Sequence, residues 1–285
     1  MDSTSIWLLV FPIILLLPGA EHSGTKMTVE SEVAGRSSSR TSYFEADRSR
    51  TEYRNSLGGR RRADVSYGLR LARIVRCDLG EAYELNLDTS EYTATPYPPK
   101  PLTAEEMKAR GLDLGARQAA APTIRVEIKT VDTGERKEMF GHAARHVITT
   151  RTSTPLEGSQ TEASESVTDG WYIDFDQRLS CDARPMEGQH GYVGGYVVAG
   201  NSKRPMERPE FVRIGEAETG FPLIVTATSK RPSGLADGTV SSFETRVTEF
   251  TEGQLDPALF EIPAGFKRVE RIERYPAAPG MTGKP

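Results

Sequence analysis

Cysteine is nearly missing from this 285-residue sequence: Cys77 and Cys181 stand far apart and in no C-x-x-C arrangement. That excludes cysteine-built metal clusters and thioredoxin-like dithiol chemistry. Histidine is scarce too, with four residues. The sequence lacks a G-x-S-x-G elbow, a Gly-rich phosphate loop of the P-loop or dinucleotide type, and a cysteine close in sequence to a histidine, so the common nucleophile and nucleotide signatures are not there. Positive charge is not in excess: 36 Lys and Arg against 40 Asp and Glu give a net charge of −4 and a pI near 5.8. Phosphate recognition needs concentrated positive charge, so nucleic acid is not an expected partner. The apolar fraction of 37% and mean hydropathy of −0.47 are low for a helical enzyme and suit a sheet with one wet face.

Long apolar runs are absent except for one, Ile6 to Leu17, followed by Pro18-Gly19-Ala20 and then polar sequence. A spanning helix needs about 20 apolar residues, and this run is shorter and holds Pro12; it reads as the apolar region of a signal peptide over residues 1–20. The segment before it carries Asp2 and no lysine or arginine, which departs from the usual signal, and no cysteine follows that could take a lipid. An exported chain, periplasmic or in the cell envelope, is the expectation, with one domain over residues 25–270 and a disordered tail over 271–285 whose prolines and glycines begin after Tyr275.

What the sequence has in quantity is period-two alternation, the mark of half-buried strands. Met27, Val29 and Val33 alternate with polar residues, as do Tyr83, Leu85 and Leu87, then Ile124, Val126 and Ile128, then Trp171, Ile173 and Phe175. Further strands are expected at 42–55, 72–79, 138–150, 192–199, 222–229 and 239–250, about ten in all. Turn signals at Gly58-Gly59, Asp132-Thr133-Gly134, Asp169-Gly170 and Ala236-Asp237-Gly238 imply antiparallel neighbours. The Pro-rich stretch 95–101 is expected to be extended, and 152–166, rich in Ser, Thr and Glu, to be a mobile loop.

Helix is sparse. Thr103-Ala104-Glu105-Glu106 is a capping box opening a short helix that stops at Gly111, and Pro209 to Ile214 is expected to form a second. Asp256-Pro257 caps a single turn that tucks in Leu259, Phe260 and Ile262, a plug closing one end of the sheet.

Candidate chemistry is thin. His142 and His146 lie four apart; on a strand they share a face but sit about 13 Å apart, too far for one metal. His190 stands alone in a Gly-rich turn and His22 near the processed end. Asp174 and Asp176 alternate on the polar side of the Trp171 strand, which a solvated face explains as readily as paired acid–base carboxylates. The Arg60-Arg61-Arg62 run reads as a solvated loop. No catalytic residue, metal or cofactor is expected. The even cysteine count in an exported chain favours a Cys77–Cys181 disulfide, with two buried free thiols as the alternative.

The order of segments from Met27 to Val269 resembles a group of exported bacterial proteins related to the periplasmic lipoprotein carriers of the Lol system. It runs through an early strand pair with an Arg-rich turn, "LDTSEYT", "FGHAARHVITT", "DGWYIDFD", "GFPL" and the ending "LFEIPAGFK". The resemblance implies a LolA/LolB-like fold: mainly β, a curved antiparallel sheet forming a half-open barrel with a few short covering helices. It further implies a concave cavity lined by Tyr83, Leu85, Leu87, Ile124, Val126, Ile128, Trp171, Ile173 and Phe175. A lipid, a lipoprotein acyl chain or another apolar ligand would sit there, with peripheral membrane contact. The alternative is a structural or interaction module of the envelope with no ligand.

Overall fold

The computed structural model describes residues 24–33, 36–54, 68–109, 121–159, 161–182, 208–230 and 240–274. The expected signal peptide, the Arg60 run, His22, His190, the strand at 192–199, the two turns at 58–59 and 236–238, and the tail from Tyr275 lie outside them. In chain order the elements are β1 (Gly24–Val33), β2 (Arg36–Phe44), β3 (Arg48–Arg54), β4 (Arg70–Arg76), β5 (Glu81–Asn86), β6 (Glu91–Pro96) and α1 (Ala104–Ala109). There follow β7 (Ile124–Met139), β8 (His142–Pro155), β9 (Ser164–Ile173), β10 (Pro209–Ile214), β11 (Phe221–Lys230), β12 (Val240–Gly253), a 3-10 turn η1 (Pro257–Phe260) and β13 (Lys267–Arg268). All thirteen strands join one curved, unclosed sheet in the order β10-β7-β8-β9-β11-β12-β1-β2-β3-β4-β5-β6-β13. Only the outermost pairs, β10 with β7 and β13 with β6, are parallel.

Several expectations are corrected. Pro209 to Ile214 is a strand, not a helix: Val212 and Ile214 are β-branched, and pairing with β7 supplies hydrogen bonds that a six-residue helix, with its costly nucleus, could not match. Asp132-Thr133-Gly134 is not a turn but a bulge inside the long β7, where Gly134 takes φ +82° and the register slips between Asp132 and Arg136. The chain reverses instead at Phe140-Gly141. Asp169-Gly170 lies within β9; a Cβ on Gly170 would come 2.7 Å from the Tyr172 ring, which folds back over it. Residues 42–54 form parts of two strands with a turn at 45–47, and the loop expected at 152–166 is shorter than that: β8 runs on to Pro155 and β9 starts at Ser164, with Thr152 and Ser153 pairing with Glu165 and Ser164. The capping box is as expected: the Glu106 amide donates to Thr103 Oγ1 (3.2 Å) and the Thr103 amide to Glu106 Oε2 (2.8 Å). α1 is the one α-helix among the described residues, and its Glu105, Glu106 and Ala109 are exposed.

From β1 to β6 the register runs without a shift, so the two faces can be followed across six strands. Met27, Phe44, Val75 and Ala82 lie on the first face; Arg50, Ile74, Tyr83 and Leu85 lie on the second. Chain segments, not helices, cover both. On the second face the C-terminal segment lays Ile262 and Phe266 against Ala72, Ile74, Tyr83 and Leu85. The chain then pairs as β13 along the edge of β6, protecting part of a strand edge that would otherwise invite aggregation. It ends on the first face, where Asn86 donates to the Glu273 carbonyl (2.9 Å), Arg274 pairs with Glu84, and Ile272 is buried. Folded structure therefore continues past the boundary expected at 270.

The first face is crossed by a strap, residues 174–182, leaving the end of β9. Phe175 meets Phe221 and Phe250 edge-on, with ring centroids 5.6 and 5.1 Å apart. This joins the main apolar cluster of Met27, Val29, Ile173, Leu223 and Val247. Farther along, Leu179 packs on Val75 and Ala82, the Ser180 amide donates to the Ala46 carbonyl (2.7 Å), and Cys181 is bonded to Cys77.

The strap start yields one prediction. Phe175→Asp places an unpaired carboxylate among phenyl rings and is expected to cost about 3 kcal/mol, or roughly 6–12 °C in melting temperature. Asp174, 88% exposed and paired with Arg145 (2.6 Å), can become Asn at a cost of about 0–1 kcal/mol. Thermal unfolding of both variants checks this, and equal shifts would refute the assignment of Phe175 to the interior.

Candidate functional site

Between strap and sheet lies a groove of about 330 Å³, lined by Met27, Arg40, Ser42, Phe44 and Thr51 from the sheet and by Gln177, Arg178 and Asp182 from the strap. Strand alternation places the floor: Met27 on β1, Arg40, Ser42 and Phe44 on β2, and Thr51 on β3 all belong to the first face. Ser42 and Thr51 sit opposite each other and share a hydrogen bond of 3.1 Å. The roof is held from its far end. Asp182 accepts from the Leu179 amide (3.0 Å) and from Tyr97 Oη (2.6 Å). Burial first, and then that bond, push the Tyr97 phenol up to about 12. Arg178 grips Asp176 of the strap with two nitrogens, Nε at 2.8 Å and Nη2 at 2.5 Å, and this bond raises the guanidinium pKa. The groove thus has a mixed floor, with Met27 and Phe44 beside the Ser42–Thr51 hydroxyl pair, and two guanidinium groups among its lining.

The nine residues expected to line one cavity do not come together. Tyr83, Leu85 and Leu87 belong to the second-face cluster beneath Ile262 and Phe266. Ile124, Val126 and Ile128 share one face of β7, where Val126 is buried and paired with Phe211 of β10 and Ser153 of β8. Trp171, Ile173 and Phe175 join the Met27 cluster, adjacent to the groove but not in its lining.

Sequence reasoning missed three arginines that hold the plug on the second face. Arg48 lies over the Phe260 ring (4.9 Å to its centroid), Arg50 donates to the Leu259 carbonyl (3.1 Å), and Arg76 donates to the Phe260 carbonyl (3.3 Å) and to Glu261 (2.5 Å). A signal was present for Arg76 alone, which shares the phase of Ala72 and Ile74 on β4; β3 offers no apolar residue in the phase of Arg48 and Arg50. The turn itself forms as expected, with Asp256 capping the Ala258 amide at 2.9 Å.

His146 and His142 are placed as structural side chains. His146 stacks on Trp171 (4.9 Å, 17°) and pairs with Asp169 (2.8 Å) and the Thr133 hydroxyl (3.1 Å). That hydroxyl also donates to the His146 carbonyl (3.2 Å) and accepts from the Glu135 amide (3.2 Å), so it is committed to the β7 bulge rather than poised as a nucleophile. His142 lies edge-on to Phe250. Among the described residues no group of three His, Cys, Asp or Glu side chains is placed to hold a metal, and no helix is long and apolar enough to cross a membrane. Asp174 and Asp176 face different arginines, Arg145 and Arg178, and do not form a carboxylate pair.

No protein-family model matches the chain, and no curated protein matches it. Among solved structures it is similar to PNGF-II, at 11% identity over 87% of this chain and 31% of that one, with a TM-score of 0.31. The chain thus spans less than a third of that protein. It is also similar to a DUF1329 family protein from Desulfovibrio piger, at 12% identity over 85% of this chain and 91% of that one, with a TM-score of 0.24. At those scores neither likeness carries an argument about function.

Proposed function

We propose that this is an exported β-sheet protein of the cell envelope that binds an apolar or amphiphilic small molecule between its strap and the first face of β1–β3. One observation carries the reading: the groove of about 330 Å³ floored by Met27 and Phe44, within the range of roughly 300–1,000 Å³ typical of small-molecule sites. The sheet is read as a half-open barrel in which the strap and the C-terminal plug take the place of covering helices. Export is supported by the N-terminal apolar run and by the disulfide, a bond that persists in oxidising compartments. A binding role rather than an enzymatic one is favoured because the groove pairs no nucleophile with a base. A small lipid-like amphiphile is the partner class this reading names, with peripheral membrane contact at most.

An apolar fluorescent dye is expected to bind the folded protein saturably, with about one site. Thr51→Phe, which fills the groove, should lower the affinity at least tenfold, whereas Ile124→Phe and Ile128→Phe, on the remote β7, should leave it unchanged. Absence of saturable binding to a normally folded protein would instead establish a structural module.

A further inference from the structure

We propose that the occupant of this groove is a single-chain amphiphile with an anionic head, its chain on Met27 and Phe44 and its head between Arg40 and Arg178. The inference rests on the ligand-binding reading above and adds head charge and chain number. Size limits the chain. The groove of about 330 Å³ stands at the lower end of the roughly 300–1,000 Å³ range of small-molecule sites, which suits one medium alkyl chain rather than the two or three long chains of a membrane lipid or a lipoprotein anchor.

Charge selects the head. The lining holds two guanidinium groups and one carboxylate, and that carboxylate, Asp182, already accepts from Tyr97 and from the Leu179 amide. The partner of Arg178 is Asp176, and both side chains are more than half exposed. An exposed pair of this kind contributes little net stability, so a ligand carboxylate or sulfate can replace it and accept two parallel hydrogen bonds from the guanidinium. Arg40 and Arg178 come from different elements, a strand and the strap, so an anion between them also ties roof to floor. A cationic head would have to compete with Arg178 for Asp176, and a neutral hydroxyl forgoes the charge-assisted bonds.

The test compares three ten-carbon ligands by isothermal titration at concentrations where each is monomeric: decanoate, decanol and decyltrimethylammonium. Decanoate is expected to bind at one site, decanol at least tenfold more weakly, and the cation not measurably. Arg40→Gln and Arg178→Gln should each bring decanoate to the affinity of decanol while the melting temperature holds. Equal binding of decanoate and decanol to the unmodified protein would overturn the anionic head and leave the apolar-ligand reading standing. Binding of none of the three would overturn both. Tight binding of a two-chain phosphatidic acid would overturn the single-chain limit.

Discussion

Replacing Phe260 by alanine is expected to cost about 3–5 kcal/mol of unfolding free energy, the range for truncating a buried phenyl ring. Phe260 is fully buried, and it is the anchor that holds the C-terminal segment against β3 and β4. Its loss opens a cavity beneath the Arg48 guanidinium and loosens a turn whose carbonyls are gripped by Arg50 and Arg76. Arg76 holds Asp78 and Glu261 as well, and the Asp78 bond is the main cause that raises its pKa. Arg76→Met, which keeps the volume but leaves the Phe260 carbonyl without that donor, is expected to cost about 1–3 kcal/mol. Urea unfolding monitored by tryptophan fluorescence measures both. A loss under 1 kcal/mol for Phe260→Ala would show the plug to be peripheral.

Removing the disulfide is the second large effect. Cys77 and Cys181 are 104 residues apart, and closing a loop of that length stabilises by about 4–5 kcal/mol in the chain-entropy account. The Cys77→Ser, Cys181→Ser double variant is expected to lose that much in urea unfolding and to free the far end of the strap. Thiol labelling of the protein denatured without reductant should add nothing, and two labels should appear after reduction. Two labels before reduction would show that the bond is not made.

Strands were readable wherever a single period-two pattern spoke for itself, as at Met27 and Val29, Tyr83 and Leu85, or Trp171 and Ile173. The capping box at Thr103 and the capped turn at Asp256-Pro257 were readable because each is closed by atoms three or fewer residues apart. The shared cavity wall was not readable. Alternation tells which residues of one strand share a face, but only register tells which faces of different strands meet. Tyr83 and Met27 each look inward within their own strand, yet four uninterrupted pairings from β1 to β5 put them on opposite sides of the sheet. The bulge at Gly134 hid the length of β7 because three turn-forming residues can equally be absorbed inside a strand. The groove escaped notice because its roof, residues 174–182, has no regular structure to announce it.

The pairing of β1 with β12 also governs how the molecule comes into being. Lys26 and Glu249, which bridge these strands, are 223 residues apart, and they sit at the middle of the sheet rather than at its rim. Eight of the twelve neighbouring pairs join consecutive strands and can close locally, but β1 with β12 must close most of the chain, so its loop-closure entropy has to be overcome before the contacts that reward it exist and this pairing is the slow one. As the chain is synthesised from its N-terminus, β1 waits without one of its two neighbours until nearly the last strand has been made. On the export proposed above, the delay is an advantage: the polypeptide stays threadable during its passage, and the sheet locks only afterwards.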